Sequence, residues 1–223
     1  MFEQYPSYPK FRTLMLTEPH QHGEDVYALQ SALMALGFHL PNYGADGDLG
    51  GETADAIQTA QRKYGLSTDG KAGAQTQREL ALALAAPASA AHDLPSGLLK
   101  GQMAHESSFR LGIYSVQYGN GSYDAGVVQR NTALTPAKQG FTPAPSIEAL
   151  AAQARKYFDR FGGIPTRRRW QLAQGTWNAP AWACSIAREE GAKIPTSEIL
   201  RPTPSQRATL EAYMASVSAY LEI

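Results

Sequence analysis

The chain has 223 residues, of which 43% are hydrophobic and 18% charged, so it is long enough to bury a sizeable core. Twenty basic and twenty acidic residues cancel, which excludes a net charge that would attract nucleic acid or an anionic membrane. The single cysteine, Cys184, excludes an internal disulfide framework, and we expect it to be a small buried thiol. The N-terminal stretch contains an acid and prolines, and no segment reaches membrane-spanning length, so we expect neither a secretory signal nor membrane insertion.

Two apolar stripes at helical spacing predict the first two helices. A glycine follows each stripe, and glycine readily adopts the left-handed conformation that ends many helices. The first stripe consists of Val26, Leu29, Leu33 and Leu36, followed by Gly37, and the second consists of Ala56, Ile57, Ala60 and Tyr64, followed by Gly65.

One motif occurs twice in this part of the chain, as "DGDLGGET" at 46–53 and "DGKAGAQT" at 69–76. Asp-Gly favours a tight turn with a positive φ at glycine, and the threonine is placed to cap or begin the next helix. The spacing does not fit an EF-hand, since a loop starting at Asp46 has Gly50 in its fifth position and Ile57 in its twelfth. We therefore expect a helical domain without a metal ion.

A change of composition divides the chain. The segment 80–97, "LALALAAPASAAHDLPSG", passes from helix-forming alanine and leucine into a stretch with prolines and serines, as a helix followed by a linker would. We predict a first domain over residues 1–86 with its core at 25–80, a linker at 87–93, and a second domain over 94–223. Apolar stripes in both halves predict a mainly α protein.

The first domain resembles the type 1 peptidoglycan-binding domain. The resemblance rests on "DVYALQSALMALGF", "DGDLGGETADAIQTAQRKYGLSTDG" and "GAQTQREL", with Ile57 and Ala60 as departures from the family's Val and Phe. It implies a compact three-helix module that binds bacterial peptidoglycan. The implied binding surface lies near the Asp-Gly turns, at Asp46, Gly47, Asp69 and Gly70.

Glu106 lies within "GQMAHESSFR", at helical spacing from Leu99, Met103 and Phe109. A carboxylate in a partly apolar cleft holds its proton more readily, as a general acid must. The alternative is a glutamate at a helix end that turns to solvent.

Three short motifs give the second domain a resemblance to lytic transglycosylases and goose-type lysozymes over about residues 94–190. They are Glu106-Ser107, the segment 126–129 ending in Gln129, and Trp177-Asn178. The resemblance implies that Glu106 protonates the β-1,4 glycosidic oxygen between N-acetylmuramic acid and N-acetylglucosamine. It also implies that Ser107 and Gln129 position the acid or an acetamido group and that Trp177 stacks on a sugar. Asn178 either contacts substrate or caps the helix that follows it.

A second carboxylate would distinguish hydrolysis from transglycosylation. Asp124 is the candidate base or nucleophile, with a turn aspartate as the alternative, and Asn131 stands where goose-type enzymes have an aspartate. We therefore expect a lytic transglycosylase with Glu106 as its acid. A hydrolytic muramidase, a chitinase-type endolysin of the glycoside hydrolase 19 group and a non-catalytic wall-binding protein are the alternatives.

The two domains together resemble a modular bacteriophage endolysin. This resemblance implies accumulation in the host bacterial cytoplasm and action on the cell wall after a holin breaches the membrane. A tail-associated wall hydrolase would have the same chemistry. We expect a monomer with peptidoglycan as its partner and with no cofactor.

Overall fold

The computed structural model describes residues 11–115, 118–133 and 140–222 and shows a mainly helical protein, as predicted. Its short strands β1 (Asp124–Ala125) and β2 (Arg130–Asn131) pair antiparallel. The α-helices are α1 (Glu24–Ala35), α2 (Gly51–Lys63), α3 (Ala74–Ala91), α4 (Leu98–Ser107), α5 (Pro143–Arg160), α6 (Thr166–Gly175), α7 (Pro180–Glu189) and α8 (Pro204–Val217).

The chain forms two compact units, each built from two stretches of sequence. The first unit comprises the described residues of Met1–Ala86 and Glu106–Ile147, and the second comprises those of Pro87–His105 and Glu148–Ile223. Part of the predicted linker is helical, because α3 continues to Ala91 with Pro87 inside it. Alanine is the strongest helix former and dominates this stretch. The domain boundaries at residues 86 and 94 stay a prediction.

The apolar stripes of α1 and α2 form much of the core of the first unit. Val26, Leu29 and Leu33 are fully buried in α1, and Ile57 and Ala60 are fully buried in α2. Both predicted helix ends are confirmed by positive φ angles, 82° at Gly37 and 67° at Gly65. The apolar periodicity and the glycines therefore placed these two helices correctly.

The stretch 106–147 packs against helices of the same unit. The backbone N–H of Leu111 donates to Gln77 Oε1 at 3.1 Å, and a Cβ on Gly112 would lie 2.3 Å from the Cα of Asp25. The ring of Tyr114 meets those of Tyr123 and Phe141 edge to face, at centroid distances of 5.9 and 6.2 Å. The described residues of 106–147 are thus part of the fold that contains α1 and the start of α3.

In the second unit, α6 packs against α7 and α8. A Cβ on Gly175 would lie 2.7 Å from Met214 Sδ, so α6 and α8 approach closely where glycine leaves room. Cys184 is 3% exposed within this core, which confirms the predicted buried thiol. Thr203 begins α8 with a capping box, in which its hydroxyl accepts from the Gln206 N–H.

Among the helices of residues 11–115, 118–133 and 140–222, none combines the length and the apolar composition needed to cross a membrane.

Candidate functional site

The first Asp-Gly turn is built around the side chain of Gln30, which α1 presents to it. Gln30 Nε2 donates to Asp46 Oδ1 at 2.8 Å, to the Asp48 carbonyl at 2.9 Å and to Thr53 Oγ1 at 3.0 Å. Gln30 Oε1 accepts from the Gly47 N–H at 2.8 Å, and Asp46 Oδ1 also accepts from the Asp48 N–H. One buried amide thus joins α1, the turn and the first turn of α2.

The second Asp-Gly turn repeats this arrangement around Gln61 of α2. Gln61 Nε2 donates to Asp69 Oδ1 at 2.9 Å, to the Lys71 carbonyl at 3.1 Å and to Thr76 Oγ1 at 3.3 Å. Gln61 Oε1 accepts from the Gly70 N–H at 3.0 Å, and Asp69 Oδ1 accepts from the Lys71 N–H at 2.9 Å. The sequence repeat is therefore also a repeat of five equivalent hydrogen bonds.

The predicted binding residues Asp46, Gly47, Asp69 and Gly70 lie within these two networks. Asp46 and Asp69 are exposed, but one oxygen of each carboxylate is occupied in forming the turn. The hydrogen bond from the Lys71 N–H, followed by that from the Gln61 amide, lowers the pKa of Asp69 below its ordinary value. These aspartates fix the shape of the surface, and their role in binding stays a prediction.

Gln30 and Gln61 are central to the candidate site, but the sequence motifs did not identify them as site residues. They are 1% and 2% exposed, which is unusual for glutamine. The available signal was a glutamine on an otherwise apolar helix face before each copy of the motif. An amide has both a donor and an acceptor, so it can bond both polar groups of a tight turn.

Glu106 lies in the last turn of α4 and is half-buried. Leu99 and Met103 are buried on the same helix, as predicted. Phe109 does not continue the stripe, because α4 ends at Ser107 and the next two residues have φ angles of 53° and 64°. The positive φ angles turn the chain away from the helix axis, so Phe109 cannot share its face with Glu106.

Ser107 fixes the end of α4 to the loop between β1 and β2. Its buried hydroxyl donates to the Val127 carbonyl at 2.8 Å. Gln129, in the same loop, has a φ of 50°, and its Nε2 donates to the carbonyls of Gly126 and Ile113 at 2.9 and 3.2 Å. The structure therefore brings Ser107 and the predicted Gln129 motif into one part of the first unit.

Asp124 and Asn131 are directly opposite each other in the β1–β2 pair. Asn131 Nδ2 donates to Asp124 Oδ1 at 2.8 Å, and the Tyr118 hydroxyl donates to Asp124 Oδ2 at 2.5 Å. The Asp124 N–H donates to Ser115 Oγ at 2.8 Å. Both carboxylate oxygens of Asp124 are thus bonded, which supports the alternative of an aspartate that stabilises the hairpin. The catalytic role of Asp124 stays a prediction.

Trp177 and Asn178 belong to the second unit, where Trp177 is half-buried and Asn178 is exposed. The capping alternative for Asn178 is wrong, because the residue that begins α7 is Ala179, with no side-chain cap. The Asn178 side chain is one position too early to reach the first free N–H groups of the helix.

In the part of the chain that the structure describes, no three histidine, cysteine, aspartate or glutamate side chains are grouped so as to hold a metal ion.

Residues 22–80 match the family model of the putative peptidoglycan binding domain. The matched stretch contains α1, α2 and both glutamine-centred networks. The match agrees with the resemblance seen in the sequence over this stretch.

Three relatives of this chain are named N-acetylmuramoyl-L-alanine amidases. A protein named Probable N-acetylmuramoyl-L-alanine amidase, from Bacillus licheniformis, is 44% identical over 80 residues, which are 35% of this chain and 23% of that protein. The amidase CwlL of the same organism is 42% identical over 85 residues, 35% of this chain and 24% of the relative. The amidase CwlM of Mycobacterium tuberculosis is 42% identical over 59 residues, which are 26% of this chain and 14% of the relative. The chain thus covers less than a quarter of each relative.

These relatives contradict the predicted cleavage of the β-1,4 glycosidic bond. Their name specifies the bond between N-acetylmuramic acid and L-alanine, which is an amide and not a link between sugars. The assignment as a lytic transglycosylase, with its glycan-cleaving alternatives, is therefore wrong. It depended on three short motifs, namely Glu106-Ser107, the segment 126–129 ending in Gln129, and Trp177-Asn178.

Proposed function

We propose that this protein binds bacterial peptidoglycan through residues 22–80 and acts on that polymer as a cell-wall hydrolase. The observation that supports binding best is the pair of equivalent networks around Gln30 and Gln61, in a stretch that matches a peptidoglycan-binding family. Both networks hold exposed turns in fixed shapes. A surface that is already rigid loses little conformational entropy when a polymer binds to it.

Co-sedimentation with purified peptidoglycan sacculi tests the binding. The full chain is mixed with sacculi and, in parallel, with microcrystalline cellulose as an insoluble polysaccharide without muramic acid or stem peptides. We expect the protein in the sacculus pellet and in the cellulose supernatant. Equal recovery from both pellets, or none from the sacculi, would refute the proposal.

The hydrolase part of the proposal has separate support. The relatives are named as enzymes that act on peptidoglycan, and the first unit contains carboxylates at Glu106 and Asp124. Bond cleavage by water needs a group that accepts or donates a proton close to the reacting atoms, and a carboxylate can do either. We place this role on Glu106, which is half-buried in the last turn of α4.

Release of soluble material from dye-labelled sacculi tests the hydrolase. Glu106→Gln should reduce release at least about a hundredfold, the size of a typical general acid–base contribution. Glu18→Gln, at a side chain that is 88% exposed, is the matched control and should leave release unchanged. New free amino groups in the soluble products identify an amide as the bond cleaved. Full release by Glu106→Gln would remove this residue from the mechanism.

We further propose, from the resemblance alone, that the protein is a monomeric phage endolysin that accumulates in the host bacterial cytoplasm before lysis. Fractionation of infected cells tests this location. Detection in the envelope before lysis would contradict it.

A further inference from the structure

The two copies of the turn differ in the length of chain that leads to them. The glutamine and aspartate that meet are 16 residues apart in the first copy, Gln30 and Asp46, and 8 apart in the second, Gln61 and Asp69. The second copy closes the same network with the shorter connection. The longer connection of the first copy is therefore not needed to close the turn network, and extra loop length on a rigid scaffold commonly serves binding.

The longer connection is held firmly in place. Phe38 and Leu40 are 7% and 5% exposed and anchor its start in the core. Glu52 of α2 fixes its tip, since Oε1 accepts from the Asn42 N–H at 2.9 Å and from Asn42 Nδ2 at 3.0 Å, while Oε2 accepts from the Tyr43 N–H at 3.2 Å. These contacts tether Asn42 and the backbone of Tyr43 to the first turn of α2.

A groove of about 650 Å³ lies between this connection and the first turns of α2. Its volume falls within the range of about 300–1,000 Å³ that is typical of small-ligand sites. Its lining mixes apolar surface with hydrogen-bonding groups and includes Phe38, His39, Pro41, Glu52 and Asp55. Tyr43 follows the lining residue Asn42 and is 74% exposed, the highest exposure among the large hydrophobic side chains of the described residues.

We propose that this groove is a subsite for the glycan backbone of peptidoglycan, with the Tyr43 ring against the apolar face of one amino sugar. The inference rests on the proposed wall binding and adds where the polymer lies and which part of it is bound. Asp55 accepts hydrogen bonds from sugar hydroxyls, and His39 bonds to a hydroxyl or an acetamido group. The carboxylate of Glu52 acts indirectly, by holding the loop that presents Tyr43.

The chemistry of the groove favours the glycan over the stem peptide. A pyranose ring has a flat C–H face that packs on an aromatic ring and a rim of hydroxyls that need polar partners. An exposed tyrosine ring, on a backbone held by Glu52, and the carboxylate of Asp55 in the adjoining groove offer both. A second groove, of about 290 Å³, lies at the other turn and includes Lys71 and Asp69. Among the residues that the structure describes, no aromatic side chain lines this second groove, so the ring available for stacking lies at the first copy.

Tyr43 substitutions in the full chain test the subsite. Tyr43→Leu replaces the ring by an aliphatic side chain, and Tyr43→Phe keeps the ring without its hydroxyl. Leu200→Ala is the control, because Leu200 is another exposed apolar side chain, at 60% exposure. The probes are purified sacculi and the tetrasaccharide of N-acetylglucosamine. Loss of the stacked ring should weaken sacculus binding about three- to tenfold. Tyr43→Phe and Leu200→Ala should bind as the wild type does.

Nuclear magnetic resonance with the tetrasaccharide supplies the second measurement. Addition of the sugar should shift amide signals of residues 38–59 in the wild type, and the shifts should weaken in Tyr43→Leu. Circular dichroism verifies that the variants remain folded. Unchanged signals with the tetrasaccharide, but shifts with a free stem peptide, would replace the glycan subsite by a peptide site.

The outcomes separate the two proposals. Sacculus binding that Tyr43→Leu leaves intact overturns the subsite and leaves the proposed function standing. Absence of sacculus binding by the wild type overturns the proposed function together with the subsite that rests on it.

Discussion

At the scale of single residues, two buried amides determine the geometry of the two Asp-Gly turns. Gln30 and Gln61 each satisfy a backbone N–H, a backbone carbonyl, a carboxylate and a hydroxyl. Burial of such groups without partners is costly, since each unsatisfied one costs about 1–3 kcal/mol. A side chain of the same size without polar atoms cannot replace either glutamine.

Gln30→Leu should therefore lower the free energy of unfolding by about 2–4 kcal/mol, because the Gly47 N–H and the Thr53 hydroxyl lose their partner. Urea unfolding monitored by circular dichroism measures the change. Gln75→Leu is the matched control on an exposed position of α3, and it should stay within about 0.5 kcal/mol of the wild type. Similar losses in both variants would show that the Gln30 network contributes nothing specific.

At the scale of elements, Arg168 joins α6 to its neighbours in the second unit. Its guanidinium contacts Glu190, which follows α7, at 2.8 Å and Glu211 of α8 at 2.6 Å. The Arg168 hydrogen bond lowers the pKa of Glu211. The side chains are 24%, 29% and 35% exposed, so solvent screens part of the attraction.

Arg168→Met should cost about 1–2 kcal/mol at pH 7, because two glutamates then lose their shared cation. Glu211 has a lower pKa when folded, so its contribution is complete above the ordinary value of 4.5 and is lost as the pH falls through the folded pKa. The difference between wild type and variant should therefore shrink below about pH 4.5. Urea unfolding from pH 3 to 7 measures it, with Arg167→Met on exposed surface as the control. A difference independent of pH would contradict this mechanism.

Close contact between α4 and α8 gives a second prediction for the elements. A Cβ on Gly101 would lie 2.0 Å from the Val217 carbonyl oxygen, and backbone cannot move aside easily. Gly101→Ala should lower the free energy of unfolding by about 2 kcal/mol or more. Gly162→Ala, where no atom lies within 4 Å of the added Cβ, should have little effect. Equal melting temperatures of the two variants would show that the helices do not pack this closely.

Local patterns predicted the elements well and their long-range contacts poorly. The ends of α1 and α2 followed from Gly37 and Gly65, since a helix stop is encoded within one turn. The role of Gln61 was not visible, because its partners lie 8 to 15 residues away. Phe109 was wrongly placed on α4 because periodicity does not report the positive φ angles at its end. The peptidoglycan-binding stretch was recognised from a pattern over some 56 residues, whereas the wrong catalytic assignment depended on three short motifs.

At the scale of the whole molecule, the two units do not follow the order of the sequence. The residue proposed for action on the wall, Glu106, belongs to the unit that contains the stretch matching the peptidoglycan-binding family. Its stretch is fixed to α1 at Gly112, where the backbones leave no room for a side chain. Proposed binding and proposed chemistry therefore share one packed unit, whose internal contacts set the distance between them.

Gly112→Ala tests this organisation. The added Cβ would lie 2.3 Å from the Asp25 Cα, so either the 106–147 stretch or the start of α1 must move. We expect faster amide hydrogen exchange throughout α1, because the stretch packed on it loosens. Gly119→Ala has no atom within 4 Å of its Cβ and should leave exchange in α1 unchanged. If both variants exchange as the wild type does, residues 106–147 do not pack on α1. That result would favour the predicted consecutive domains, with a separate second domain at 94–223.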